Sequence, residues 1–481
     1  MTFVVREWSG HNFISAPRVL RGCRLDLAFW PDWRQSVVLA CGLLRAVAQG
    51  LPPGELGGRQ GMSGSFQSLN SGVQFLMKKL FRAVVALSLL ALGVVIVPPA
   101  QAAYMPTAGA TFNDPTGSRD QQTVLMDQII EAVNNVPKGS IIRFVAYSFD
   151  YKPMADALIA AKKNGAQVRL LIDSHTETDQ IRRLRSFLGT GTSDGSYLRT
   201  CKYSCMANQP SFIHSKLYMF SRTGSATRVV MNSSANPAET GVSKSWNNTY
   251  TTVGDQTIYD ANVANFNDML PDKTNTDYYH TVESGPYPTK EYFFPRAGST
   301  KSSDTLYNIL NDVSCPSTIK VSTYFWTSAR LYLADKLVAL KKAGCTVEVV
   351  YPDGPGNQDT IYPEVTSALL KGNVSTWNTR PNTGGLYVHN KVILISGTYQ
   401  GLPGQKIVYA TSQNLTMTSL RESNEVMLRI PNGSVYGDYA KNFDSIKAKS
   451  KYLNTAAKTA AGLDTARETN APRDNSPDPD E

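Results

Sequence analysis

His389 and Lys391 stand two residues apart, flanked by Val388, Val392, Ile393 and Ile395. In extended chain, residues i and i+2 point to the same face, so one strand would present an imidazole and an ammonium side by side. Gly397, Gly401, Pro403 and Gly404 then mark a turn, Lys406 to Ala410 reads as a returning strand, and Ser412 and Asn414 follow, again two apart. The same set occurs earlier, with His214 and Lys216, a turn at Gly224, then Ser234 and Asn236. Each copy holds one group able to attack phosphorus or carry a proton, one fixed positive charge and two hydrogen-bonding side chains. Those are the parts needed to hold a phosphate. After residue 102 the chain has four histidines, and two of them fall at these equivalent places. His175 and His280 lack such company and read as surface or supporting residues.

Cleaving a phosphodiester meets two obstacles: the nucleophile approaches an anion, and the departing alkoxide needs a proton. A pair of histidines addresses both, one attacking as neutral imidazole while the other protonates the leaving oxygen. Lys216 and Lys391, with the amides of Asn236 and Asn414, would neutralise the non-bridging oxygens, and Ser234 and Ser412 would touch the substrate. Two lysine charges can take the place of a divalent ion, so the expectation is no metal and no other cofactor.

The paired H-x-K … S-x-N sets resemble the signature of the phospholipase D superfamily, over roughly Tyr104 to Leu453. The resemblance implies a single site shared by two motifs and a two-step reaction through a phosphohistidine, with His214 as nucleophile and His389 as acid and base. The family usually carries an Asp shortly after the Lys; here Ser221 and Ser396 hold that place. It also commonly has a carboxylate that hydrogen-bonds an active-site histidine. Glu425, eleven residues after Asn414, suits that role, while the matching place after Asn236 is Asn247. Backing His214 from across the interface would fix its tautomer and stabilise its positive form. The plainer alternative is a solvated Glu425 in Arg421–Glu425.

The elements that must position these groups also repeat. Ser140 to Asp150 reads as a strand, Pro153 to Lys163 as an amphipathic helix ended by Gly165, and Val168 to Asp173 as a strand. Thr318 to Trp326, Leu331 to Lys342, Gly344 and Val347 to Asp353 follow the same order. The expected fold is therefore α/β, with two pseudo-symmetric βαβ-containing halves (103–290 and 291–453), each a mixed sheet flanked by helices, around one active site. Tyr147 matches Tyr324 and Asp173 matches Asp353; these read as core packing and strand-end turns.

The chain ends differ in character. Residues 1–76 lack sustained periodicity and read as an over-long extension. Residues 77–102 have a basic start, an apolar run from Ala83 to Val97 and Ala100-Gln101-Ala102, the pattern of a signal peptide cleaved after about Ala102. Residues 454–481, rich in Pro and charge, read as a disordered tail. The formal charge of +9 falls in equal parts on 1–76, 77–102 and all the rest, so the body of the protein gives little sign of a polyanion partner. Four cysteines in an exported chain allow three pairings, of which Cys201–Cys205 with Cys315–Cys345 is favoured because the latter two sit at the starts of strands expected to be neighbours; zinc held by Cys201, Cys205 and His214 is the alternative. The leading function is a secreted phosphodiesterase that hydrolyses or transfers phospholipid headgroups, with transient membrane-surface contact and no obligate partner. A nuclease, with nucleic acid as the less favoured substrate, and a non-catalytic phosphate-binding protein are the alternatives.

Overall fold

The computed structural model describes residues 104–175, 177–285, 288–353 and 360–453. The spans expected to be an extension (1–76), a signal peptide (77–102) and a disordered tail (454–481) lie outside the described residues. Among the described residues, no helix is long and apolar enough to cross a membrane.

Two mixed sheets carry the fold. The first has seven strands in the spatial order Gly109–Phe112, Asn248–Val253, Ala226–Ser233, Lys216–Thr223, Ile141–Ala146, Gln167–Asp173 and Tyr197–Cys201. The second has nine, in the order Lys451–Leu453, Ser375–Asn378, Thr346–Tyr351, Val313–Ser322, Val392–Tyr399, Leu402–Thr411, Val426–Ile430, Lys290–Phe293 and His280–Glu283. All seven strands of the first sheet have counterparts of the same order and sense in the second. Ile141–Ala146, Gln167–Asp173 and Tyr197–Cys201 pair in parallel, as do Val313–Ser322, Thr346–Tyr351 and Ser375–Asn378. Beside them, Lys216–Thr223 and Ala226–Ser233 form an antiparallel hairpin matched by Val392–Tyr399 and Leu402–Thr411. The repeat legible in the sequence is thus a repeat of topology.

Both faces of each sheet are covered, which is why their strands read as almost continuous apolar runs. Phe144, Leu170 and Tyr218 point into a core with the helices Arg119–Asn134 and Lys152–Lys163; Val145, Leu171 and Met219 alternate with them and face the helix Gln256–Met269. In the second half, Ile393 and Ile395 face the helices Leu331–Lys342 and Pro363–Lys371, while Val392 and Leu394 face the helix Gly433–Lys449. The crossover helices Lys152–Lys163 and Leu331–Lys342 both end in a pair of lysines, where the helix dipole favours positive charge. Gly165 and Gly344 then take left-handed φ of 91° and 98°, conformations that favour glycine.

Cys315, on the strand Val313–Ser322, is bonded to Cys345, just before the neighbouring strand Thr346–Tyr351, and Cys201 is bonded to Cys205. The strand His280–Glu283, within the span 103–290 expected for the first half, pairs at the edge of the second sheet. The chain therefore crosses between the halves before residue 280.

Glu291, fully buried on the strand Lys290–Phe293, meets the first half by accepting from Asn262 Nδ2 at 2.6 Å. Burial pushes its carboxyl up to about 8 despite the Asn262 and Asn232 amides, with Asp255 adding to the rise. Because the folded carboxyl holds its proton above the ordinary glutamate range, its contribution to stability is complete at low pH and declines as pH rises toward about 8. Glu291→Gln should therefore match the wild type near pH 4 and melt higher near pH 8. Thermal melts at both values test this, and a Gln variant less stable than wild type near pH 8 would contradict it.

Candidate active site

The two histidines lie where each motif changes partners. The sequence reading put His389 and Lys391 on one continuous strand, but the structure breaks it there. Tyr387–Val388 pairs with Ser245–Trp246 of the first half, and His389 N donates to Trp246 O at 3.0 Å. From Val392 onward the chain pairs within its own sheet. The first motif does the same: Ile213 bridges to Asn424, His214 N and Ser215 N both donate to Asn424 O at 2.9 Å, and Lys216 begins a strand of the first sheet. Each histidine thus belongs covalently to one half and by its backbone hydrogen bond to the other. Both are 3% exposed.

The side chains repeat this exchange. Glu425, fully buried, receives His214 Nδ1 on Oε1 at 2.9 Å, and Ser412 Oγ donates to its Oε2 at 2.5 Å. Asn247, also fully buried, receives His389 Nδ1 on Oδ1 at 2.9 Å, and Ser234 Oγ donates to the same oxygen at 2.8 Å. The Asn247 amide nitrogen donates to Ser245 Oγ and Gly241 O, which leaves its oxygen to face His389. An amide oxygen only accepts, so His389 carries hydrogen on Nδ1, and Lys391 Nζ lies 2.6 Å from its Nε2. Ser234 and Ser412, expected on the substrate, give their hydroxyls to the groups that back the histidines.

Lys216 Nζ donates to His214 O at 2.8 Å, and both motif lysines lie over a tyrosine, Lys216 over Tyr147 and Lys391 over Tyr324. Asn236 turns its Oδ1 to Tyr147 N and Ser148 N, which directs its amide nitrogen away from that loop. Asn414 is buried, and its main-chain oxygen accepts from Arg330. Lys216, Ser233 and Ser234 share one cavity with Thr411 and Ser412, so the two motif hairpins face a common space.

Tyr147 and Tyr324 are more than core packing. Each sets its ring at a steep angle to the histidine of its own half, at centroid distances of 5.4 and 4.9 Å. Asp173 is also more than a turn residue, since it accepts from Ile213 N at 2.7 Å, just before His214, and from His175 Nδ1 at 2.9 Å. His175 in turn stacks on Tyr147 at 3.8 Å. The matching of Tyr147 with Tyr324 and of Asp173 with Asp353 was the signal available in the sequence. His280 stacks on Phe293 in the edge strands. Ser221 accepts from Ile141 N at 2.8 Å, joining neighbouring strands at the far end of the hairpin. Among the described residues, the one His/Cys/Asp/Glu group at metal-ligand spacing is Cys201, Cys205 and Asp272. Its sulfurs are bonded to each other and are not thiolates.

A family model described as "Cardiolipin synthase, PLD-like domain" matches residues 129–270 and again 310–447, together more than half of the chain. No curated protein matches the sequence. The crystal structure of phosphatidylserine synthase from Haemophilus influenzae Rd KW20 shares the fold, with a TM-score of 0.51 at 14% identity over 72% of this chain and 87% of that one. Yeast tyrosyl-DNA phosphodiesterase aligns with a TM-score of 0.43 at 10% identity, over 67% of this chain and 89% of its own. Nuc of Salmonella typhimurium, a phospholipase D family member, aligns over 35% of this chain and 98% of its own, with a TM-score of 0.26 at 18% identity.

Glu425→Gln keeps the size and a hydrogen-bonding oxygen but removes the charge behind His214. Loss of an orienting carboxylate of this kind costs roughly 10²- to 10⁴-fold in turnover, and a drop in that range is expected with little change in melting temperature. Turnover within about threefold of wild type would show that the charge is not used in the reaction.

Proposed function

This chain belongs to the phospholipase D-like family, and we propose that within it the protein is an exported phosphodiesterase acting on phospholipid headgroups. The family's chemistry is phosphodiester hydrolysis or transfer. The observation that carries the two-histidine mechanism is the unequal backing of the rings, a carboxylate from the second half on His214 and an amide from the first half on His389.

A carboxylate on Nδ1 holds the attacking tautomer and stabilises the cationic ring that forms when the other nitrogen bonds phosphorus. His214 is therefore the nucleophile. Its Nε2 attacks phosphorus, the bond from phosphorus to the leaving oxygen breaks, and that oxygen takes a proton from His389. Water or an alcohol then gives a proton to His389 and attacks the phosphohistidine, breaking the N–P bond and restoring His214. An amide behind His389 suits a group that must release and regain a proton in every cycle. Lys216, Lys391, Asn236 and Asn414 hold the non-bridging oxygens. The basic, apolar and A-x-A series of residues 77–102 supports export, and the near-balance of charge in the remainder favours a lipid over a polyanion.

The reading is tested by one panel run in EDTA: phosphatidylcholine vesicles, cardiolipin vesicles, and single- and double-stranded oligonucleotides. Headgroup release from vesicles is expected to survive the chelator, and His214→Ala and His389→Ala should each lower it by about 10⁴-fold. Cleavage of oligonucleotides but not of vesicles would make the protein a nuclease. No cleavage of either would leave a phosphate-binding protein. Loss of turnover in EDTA, restored by added metal, would overturn the two-lysine account.

A further inference from the structure

We propose that Arg330, which neither motif contains, is a positioning residue that sets the placement of Asn414. The inference rests on the reading of Asn414 as an amide that holds the substrate phosphate.

Arg330 and Asp304 are both fully buried and paired through two bonds, Nε to Oδ2 at 2.9 Å and Nη2 to Oδ1 at 2.8 Å. Asp304 is itself fixed three further ways. It caps the helix Thr305–Asn311 by accepting from Leu306 N and Tyr307 N, and it takes the Tyr332 hydroxyl at 2.7 Å. The remaining arm of the guanidinium, Nη1, points the other way. It reaches Gln413 Oε1 at 3.3 Å, Asn414 O at 3.2 Å and Thr416 O at 3.5 Å. One planar group therefore has an anchored end and an end that grips the segment carrying Asn414.

A buried ion pair adds little net stability over an apolar replacement, because desolvating both charges offsets their attraction. What the guanidinium does supply is fixed geometry, since its donors lie in a rigid plane. The main chain shows where that geometry is delivered. Thr327 N donates to Leu415 O and Leu415 N to Phe325 O, so the segment Gln413–Thr416 lies along the loop between Tyr324, beside His389, and Arg330. The first half is built differently. There the Asn236 main-chain oxygen takes Ala238 N at 2.8 Å, and the hydroxyl of Tyr218 holds Ala235 O. Arg330 is thus a device of the second half alone, and it acts on Asn414 rather than on the substrate.

Four proteins decide the matter: Arg330→Lys, Asn414→Ala, the double variant, and Tyr332→Phe. Lysine keeps a charge for Asp304 but cannot span both ends. Turnover of bis(para-nitrophenyl) phosphate and binding of inorganic phosphate are measured for each. A misplaced phosphate-holding group costs about tenfold to a hundredfold, so Arg330→Lys should lose that much in kcat, with weaker phosphate binding and KM within about threefold. In the Asn414→Ala background the same change should cost nothing more, because the group it positions is gone. Tyr332→Phe removes a bond to Asp304 without touching the segment and should leave turnover within about twofold. Multiplying losses in the double variant, or an equal loss in Tyr332→Phe, would overturn the proposal in favour of a purely structural pair. Asn414→Ala with unchanged turnover and phosphate binding would instead overturn the phosphate role of Asn414, a separate failure.

Discussion

A carboxylate without access to water sits against an imidazole from the other half of the molecule, and the arrangement of both halves follows from that contact. Glu425 is fully buried. Desolvating an ion of its size costs several kcal/mol unless its oxygens are well bonded. Here His214 Nδ1 takes one oxygen and Ser412 Oγ the other. Neither histidine could be backed from its own half in the observed geometry, because each motif leaves its sheet at the histidine to pair with the opposite half. A stable site and a joined pair of halves are therefore one requirement.

The symmetry of this exchange makes its single break informative. Serine, backing residue and histidine follow the same order on both sides, but the backing residue is Glu425 on one and Asn247 on the other. Two buried carboxylates would suit two rings that both become cationic. One carboxylate and one amide suit a ring that stays charged through an intermediate and a ring that passes a proton on. The ring contacts of Tyr147 and Tyr324 are alike in the two halves, whereas the backing groups differ.

Much of this was legible in the sequence, and for physical reasons. Strand, helix and strand carry their own periodicities, so the repeated βαβ units could be read from apolar spacing, although the first strand of each unit ends four residues earlier than that spacing suggests, at Ala146 and Ser322. The histidines and lysines stood out because two matched sets are hard to place by chance. Glu425 was legible as a candidate because its spacing from Asn414 mirrors that of Asn247 from Asn236. What spacing could not show was the break at His389, since an apolar run reads as one strand whether it pairs with one sheet or two. The bonds from Ser234 and Ser412 to the groups behind the histidines were not legible for a related reason: a short side chain's partner is set by tertiary contact. Arg330 and Asp304 were invisible because they lie 26 residues apart in sequence and in no motif.

The central claim is that the carboxylate-backed histidine is the one that attacks. Trapping the reaction with a slow diester, digesting the protein and locating the acid-labile phosphate tests it directly. The account predicts phosphate on the peptide containing His214, and its loss from that peptide in Glu425→Gln. Phosphate on the peptide containing His389, with none on that of His214, would contradict it.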